Sequence, residues 1–140
     1  MDKTNFQNIR LKAFTLTEVL VVLVIVGILV LLALPNLMPL ITKAKSTEAK
    51  VQLEHLHTLE KTFFYEKSKY TTDVTSIGFV QEKLTTEGED GRANYKIEVV
   101  EASPTSFLAK ATAVVDFDGD GTMNVWEIDQ NKNLKEVVAD

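Results

Sequence analysis

The residues best suited to chemistry lie near the carboxyl end, in Asp116-Phe117-Asp118-Gly119-Asp120-Gly121-Thr122-Met123-Asn124-Val125-Trp126-Glu127. Numbered from Asp116, carboxylates fall at positions 1, 3, 5 and 12, with a glycine at 6 for a sharp turn. Thr122 offers a backbone carbonyl at 7, and Asn124 offers an oxygen at 9, directly or through water. That is the donor order of a twelve-position calcium loop. Carboxylates converging on one point repel unless a cation sits among them, and hard oxygen ligands in flexible geometry favour Ca²⁺ over Mg²⁺. The alternative is an acidic, solvated hairpin loop. The residues before Asp116 alternate as a strand does, so no helix pair flanks the loop and a structural staple is expected rather than a sensor. The chain has no cysteine, so no disulfide can do that work.

The other candidates are weaker. Asp129-Gln130-Asn131-Lys132-Asn133 has Leu134 where the turn glycine belongs, and reads as a hairpin turn. His55 and His57 are two apart on a helical pattern and project to nearly opposite sides. Glu54, His57 and Glu60, at three-residue spacing, read as a solvated helix face. No nucleophile elbow, glycine-rich phosphate loop or His/Cys cluster occurs, so nothing points to catalysis.

A second chemical feature is Glu18, a carboxylate at the entrance of an apolar stretch. Val19 to Leu34 contains no polar or charged side chain. The 21 residues from Phe14 to Leu34 form a helix of about 30 Å, long enough to cross a hydrocarbon core. A charge at such a place needs a partner. Lys3, Arg10 and Lys12 precede the run and place the amino terminus in the cytoplasm. A cut between Ala13 and Phe14 would create an α-amine one helical turn from Glu18. A conventional secretory cut after the apolar run would leave Leu31 at −3 of Leu31-Leu32-Ala33, a poor site. Gly27, Pro35 and Pro39 interrupt the segment, which is expected to kink or melt locally there.

Ala13-Phe14-Thr15-Leu16-Thr17-Glu18 followed by Val19 to Leu34 resembles the signal of type IV pilins and type II secretion pseudopilins. The resemblance implies that a prepilin peptidase cleaves between Ala13 and Phe14 and methylates the new amine of Phe14. It further implies that Glu18 neutralises that amine, in the same subunit or a neighbour, during filament assembly by inner-membrane machinery. Pro35 marks where helices of the family unwind in a packed filament. The residue before the cut is usually glycine; with Ala13, slower cleavage is expected. Major type II pseudopilins hold calcium near the carboxyl terminus, and this chain is similar in that respect.

The remaining elements must carry these residues. Residues 1–13 are the leader, 14–41 the hydrophobic transmembrane and polymerisation helix, and 42–69 an amphipathic helix persisting to about Lys67. Its apolar positions are Leu40, Ala44, Val51, Leu56, Leu59 and Phe63, one side packing on the head and another facing neighbouring subunits. Residues 70–92 read as a connecting loop, with Asp73 to Gly78 as a helical turn. Residues 93–140 form an antiparallel head containing loop 116–127: Tyr95, Ile97 and Val99 alternate inward, as do Phe107, Ala109, Ala111 and Ala113, and Met123–Ile128 and Leu134–Val138 add two strands. The fold class is α+β, a long helix packed on a small antiparallel sheet, as in pilins. Without residues 1–13 there are 12 basic against 19 acidic side chains, a net of −7, which argues against nucleic-acid binding. The expectation is a structural subunit of a homo-oligomeric type IV pilus or related filament, in the inner membrane before assembly and then at the cell surface. The alternatives are a periplasmic type II major pseudopilin, or a membrane-anchored calcium module that does not polymerise.

Overall fold

The computed structural model describes residues 13–140, so Lys3, Arg10, Lys12 and the rest of the leader before Ala13 lie outside the described residues. The order is one helix, α1 (Leu16–Lys67), and four strands, β1 (Tyr95–Ala102), β2 (Phe107–Ala113), β3 (Val125–Asp129) and β4 (Leu134–Val138). The long-helix-plus-sheet expectation holds. The chain divides after Asn36 into two units.

The first unit contains the apolar part of α1. Leu16–Pro35 has a mean hydropathy of 3.0 and is long and apolar enough to cross a membrane. The expected local melting does not occur: α1 stays α-helical through Gly27, Pro35 and Pro39. Each proline removes one N–H donor and disturbs the carbonyl four residues back. Opening the helix would strip partners from several more backbone groups, in a stretch whose side chains are apolar apart from Asn36.

In the second unit, Leu37–Asp140, the sheet order is β1-β2-β3-β4, antiparallel throughout. Alternation puts Tyr95, Ile97 and Val99 of β1 and Phe107, Ala109, Ala111 and Ala113 of β2 on one buried face. The helix meets that face with Ala49, Leu53 and Leu56, all fully buried. The small side chains of Ala109 and Ala111, also fully buried, let the helix approach the sheet. Of the expected helical stripe, Leu56 is buried and Leu59 and Phe63 pack partly on the core. Leu40, Ala44 and Val51 are exposed and lie on other sides of the helix.

Segment 70–92 folds over the end of this core. Tyr70, Ile77 and Phe79 are buried, and Tyr70 stacks on Phe64 with ring centroids 4.8 Å apart. Asp73 to Gly78 is a hydrogen-bonded turn rather than a helix: the Thr75 amide and hydroxyl donate to Asp73 Oδ1, and Gly78 N donates to the Thr75 carbonyl. The outer edge of β1 is covered by one side chain. Gln81 accepts from Ile97 N at 2.9 Å and donates to the Tyr95 carbonyl at 3.1 Å, mimicking a neighbouring strand. At the other edge, the β3–β4 register shifts between Val125 and Trp126, leaving Val137 as the extra, bulged residue.

The expected solvated face of Glu54, His57 and Glu60 is solvated only at Glu54, which lies 3.6 Å from Lys132 Nζ. His57 and Glu60 turn into the head because they share the helical side of Leu53 and Leu56. His57 Nε2 lies 3.3 Å from the Gln130 carbonyl, and burial holds its imidazole below the usual pKa. Glu60 is fully buried; Oε2 accepts from Thr71 N at 3.3 Å and Oε1 has no partner. Desolvation raises its pKa, outweighing that one hydrogen bond. A carboxyl whose pKa is higher folded than unfolded costs stability as pH climbs above the unfolded value, about 4.3. Glu60→Gln should therefore stabilise the protein by about 1 kcal/mol at pH 7. The gain should fade toward pH 4, where the carboxyl is neutral folded and unfolded alike. Thermal melts of both proteins at the two pH values measure this.

Candidate functional site: the helix entrance and the acidic loop

At the amino end of α1, Thr15 stands just before the helix and Glu18 at its third residue. Glu18 Oε2 accepts from Thr15 N at 2.8 Å and from Thr15 Oγ1 at 2.9 Å, while Glu18 N donates to Thr15 Oγ1 at 3.2 Å. This is a reciprocal capping box, in which two otherwise unpaired amides at a helix start find partners. The Thr15-Leu16-Thr17-Glu18 spacing carries that signal, and the sequence reading missed it. Ala13, Phe14, Thr15 and Glu18 are all exposed.

The acidic loop lies between β2 and β3. Asp116, Asp118 and Asp120 each bring an oxygen within 4.8 Å of the others. The loop winds around Asp116, whose Oδ1 accepts from Gly119 N at 2.6 Å and whose Oδ2 accepts from Gly121 N at 2.7 Å. Gly119 and Gly121 hold φ of 85° and 89°, in the left-handed region that glycine enters without strain. The bonds from the Gly121 and Gly119 amides keep the Asp116 carboxyl below its ordinary pKa. Asp118 behaves oppositely. The Asp120 amide pulls its pKa down, but desolvation and the charges of Asp120, Asp140 and Asp116 together push it up. The Thr122 amide donates to Asp120 Oδ1 at 2.7 Å.

Two expected members of the donor set are used elsewhere. Asn124 is fully buried: Oδ1 accepts from the Tyr95 hydroxyl at 2.7 Å, and Nδ2 donates to Glu136 Oε1 at 2.7 Å and to the Val138 carbonyl at 3.0 Å. Glu127 lies within β3, between Lys110 Nζ of β2 at 2.8 Å and Lys135 Nζ of β4 at 3.5 Å. Strand pairing turns its carboxylate to the two lysines rather than back to the loop. Asp140 takes a place beside the loop instead, accepting from Phe117 N at 3.0 Å and Asp118 N at 3.2 Å. Nothing in the sequence pattern tied Asp140 to a loop 20 residues earlier. The loop therefore presents three convergent carboxylates with a fourth alongside, a donor set suited to a hard cation. Asp129 behaves as a turn residue, accepting from Asn131 N, Asn133 N and Asn133 Nδ2.

Residues 10–34 match the family described as the prokaryotic N-terminal methylation motif. The match covers the site of the expected cut, Glu18 and the apolar run. That amino-terminal segment is similar to those of type IV pilins and pseudopilins. Among relatives, it is 41% identical over 76 residues to the type IV major pilin protein PilA of Myxococcus xanthus (strain DK1622), covering 54% of this chain and 34% of that pilin. It is 35% identical over 80 residues to the type II secretion system core protein G of Dickeya chrysanthemi, covering 57% of this chain and 52% of that protein. The chain thus spans about half, or less, of the length of these pilin-family relatives. The α+β architecture is pilin-like too, a long apolar helix followed by a four-stranded antiparallel sheet.

The Glu127 clamp has a pH signature. Hydrogen bonding and charge from Lys110, then Lys135, hold its carboxyl below the ordinary value against the opposing effect of burial. A depressed folded pKa gives stability that is present above the unfolded value, about 4.3, and lost as pH falls through the folded one. Glu127→Gln should lower the melting temperature at pH 7, and the difference should close below about pH 4. A deficit unchanged at pH 3 would show that packing, not charge, is what Glu127 contributes.

Proposed function

We propose that this chain is a structural subunit of a type IV pilus or a closely related filament, assembled through its amino-terminal helix after the leader is cut between Ala13 and Phe14. The observation that carries this reading is the run from Phe14 to Pro35. It is a processing motif continuous with a membrane-length helix, with a single carboxylate, Glu18, at its entrance. A secretory leader would be discarded with its apolar stretch; here the apolar stretch is one helix with the stem that packs on the head. Cleavage would free the Phe14 amine beside the Thr15–Glu18 cap. Glu18 would then exchange a neutral amide for a cation of its own or a neighbouring subunit, an exchange favoured where water is scarce. The partners implied are further copies of the chain, a prepilin peptidase and inner-membrane assembly machinery. Amino-terminal mass spectrometry of sheared filaments should find chains beginning at Phe14, N-methylated. Glu18→Ala should be cleaved yet give few or no filaments. Retention of Met1, or a normal filament yield from Glu18→Ala, would refute the reading. Processed chains confined to the periplasm would assign it to a pseudopilus, the reading supported by its similarity to core protein G.

We further infer that the acidic loop holds Ca²⁺ as a staple for the head. Asp116, Asp118, Asp120 and the Thr122 carbonyl would supply oxygens. Asn124 and Glu127 are omitted, since each is committed to the sheet. The bound ion would neutralise the repulsion that raises the Asp118 pKa. In detergent, the full chain should melt about 4 °C or more higher in Ca²⁺ than in chelator, with Mg²⁺ a poor substitute. Asp118→Ala should abolish the rise, whereas Asp129→Ala and Glu127→Gln should keep it. Identical melting in Ca²⁺ and chelator would leave the loop as an acidic turn.

A further inference from the structure

A cleft of about 270 Å³ opens in the second unit between α1 and β4, bordered by Lys43 and Lys50 of the helix, Trp126 of β3, and Glu136 and Asp140. Its charges are arranged unusually. Among the described residues, neither Lys43 nor Lys50 forms an ion pair, and neither Glu136 nor Asp140 does. The two carboxylates are bonded to neutral N–H donors, Glu136 to Asn124 Nδ2 and Asp140 to the amides of Phe117 and Asp118. Two cations and two anions thus line one small space without closing on each other. Lys50 Nζ sits 4.3 Å from the centre of the Trp126 ring. The wall between these charges carries Thr42 and Ser46, both buried, whose hydroxyls donate to their own helix and keep lone pairs to spare.

We propose that this cleft binds a phosphoethanolamine group, a phosphate ester joined through two carbons to a primary ammonium. The phosphate oxygens meet Lys43 and Lys50; the ammonium donates to Glu136 and Asp140. Charge balance selects this chemistry. A lone anion would meet two carboxylates and a lone cation two ammoniums, whereas a zwitterion satisfies both pairs. The acids call for hydrogen-bond donors, which a primary ammonium has and a quaternary one lacks. The Trp126 face is already covered by Lys50, so no aromatic surface is left there for a quaternary group. The volume lies below the roughly 300–1,000 Å³ of sites for drug-sized ligands, and suits a headgroup without its chains.

The source follows from position along the helix. Pro39, which borders the cleft, follows Pro35, the last residue of the apolar span, by four residues in sequence. A lipid headgroup at the membrane surface is therefore the occupant, which rests on the membrane-anchored subunit reading above.

Trp126 is the chain's only tryptophan, so its emission reports on the cleft directly. The full chain in maltoside detergent would be titrated with dihexanoyl phosphatidylethanolamine, dihexanoyl phosphatidylcholine, O-phosphoethanolamine and inorganic phosphate. A saturable emission change is expected with the ethanolamine lipid and with O-phosphoethanolamine, and one about tenfold weaker or absent with the choline lipid and with phosphate. Lys43→Ala and Glu136→Gln should each weaken the response about tenfold, with unchanged circular dichroism showing that the fold persists. A response to O-phosphoethanolamine but not to the ethanolamine lipid would overturn the membrane source. No saturable response to either, equal responses to the choline and ethanolamine lipids, or undiminished affinity in both variants would overturn the site. Filament yield from Lys43→Ala keeps the two readings apart: normal filaments with lost binding expected, and loss of filaments from folded variants that still bind counting against the site's separateness.

Discussion

The head is organised around one amide that has no access to water. Asn124 is fully buried, and a buried amide must find its hydrogen bonds within the protein or forfeit their free energy. Its orientation is fixed by its surroundings: the Glu136 carboxylate and the Val138 carbonyl only accept, so the NH₂ must face them and the oxygen must face Tyr95. Its backbone carbonyl also accepts from Ala113 N, at the end of β2. One residue thereby ties β1, β2 and β4 at the point where the chain leaves the acidic loop. The Tyr95 phenol is held in this network, and burial, with the charges of Glu48, Asp140 and Glu136, drives its pKa well above the ordinary range. The loop's far end is thus anchored to the sheet whatever its carboxylates do.

That anchoring explains how much was legible beforehand. Strict alternation in Tyr95–Val99 and Phe107–Ala113 can serve only one buried face, so both strands were readable from residue type. The end of the helix at Lys67 was readable for a similar reason, since the apolar pattern stops there. The side of the helix that meets the sheet was less so. Leu40 and Val51 are as apolar as Leu53 and Leu56, and only the position of the sheet decides between them. The site divided in the same way. Asp116, Asp118, Asp120 and Gly121 lie within five residues of one another, and the motif named all four; Gly119, which also donates to Asp116, was not singled out. Asn124 and Glu127 matched the same motif but answer to strand partners distant in sequence, which a linear pattern does not contain.

Two carboxylates, Glu18 and Glu127, are tied to neighbouring backbone or side chains. Glu18 completes the start of α1, accepting from both the amide and the hydroxyl of Thr15. Glu127 is neutralised by two lysines from flanking strands and stitches the sheet across its width. Glu60 is the exception, a buried acid with one weak amide contact and an orphaned oxygen. It is a place where the head gives up stability that a different residue would restore.

The treatment of the sheet's two edges bears on crowding. A bare strand edge is an invitation to pair with any similar edge, and the risk grows with local concentration. Here Gln81 occupies the β1 edge at Tyr95 and Ile97, and the β4 edge is broken by the bulge at Val137, next to charged Lys135 and Glu136. Many identical heads can therefore be packed shoulder to shoulder without seeding amyloid-like strand exchange. Contacts between copies are left to side-chain surfaces, which can be remodelled by substitution without disturbing the backbone ladder beneath them.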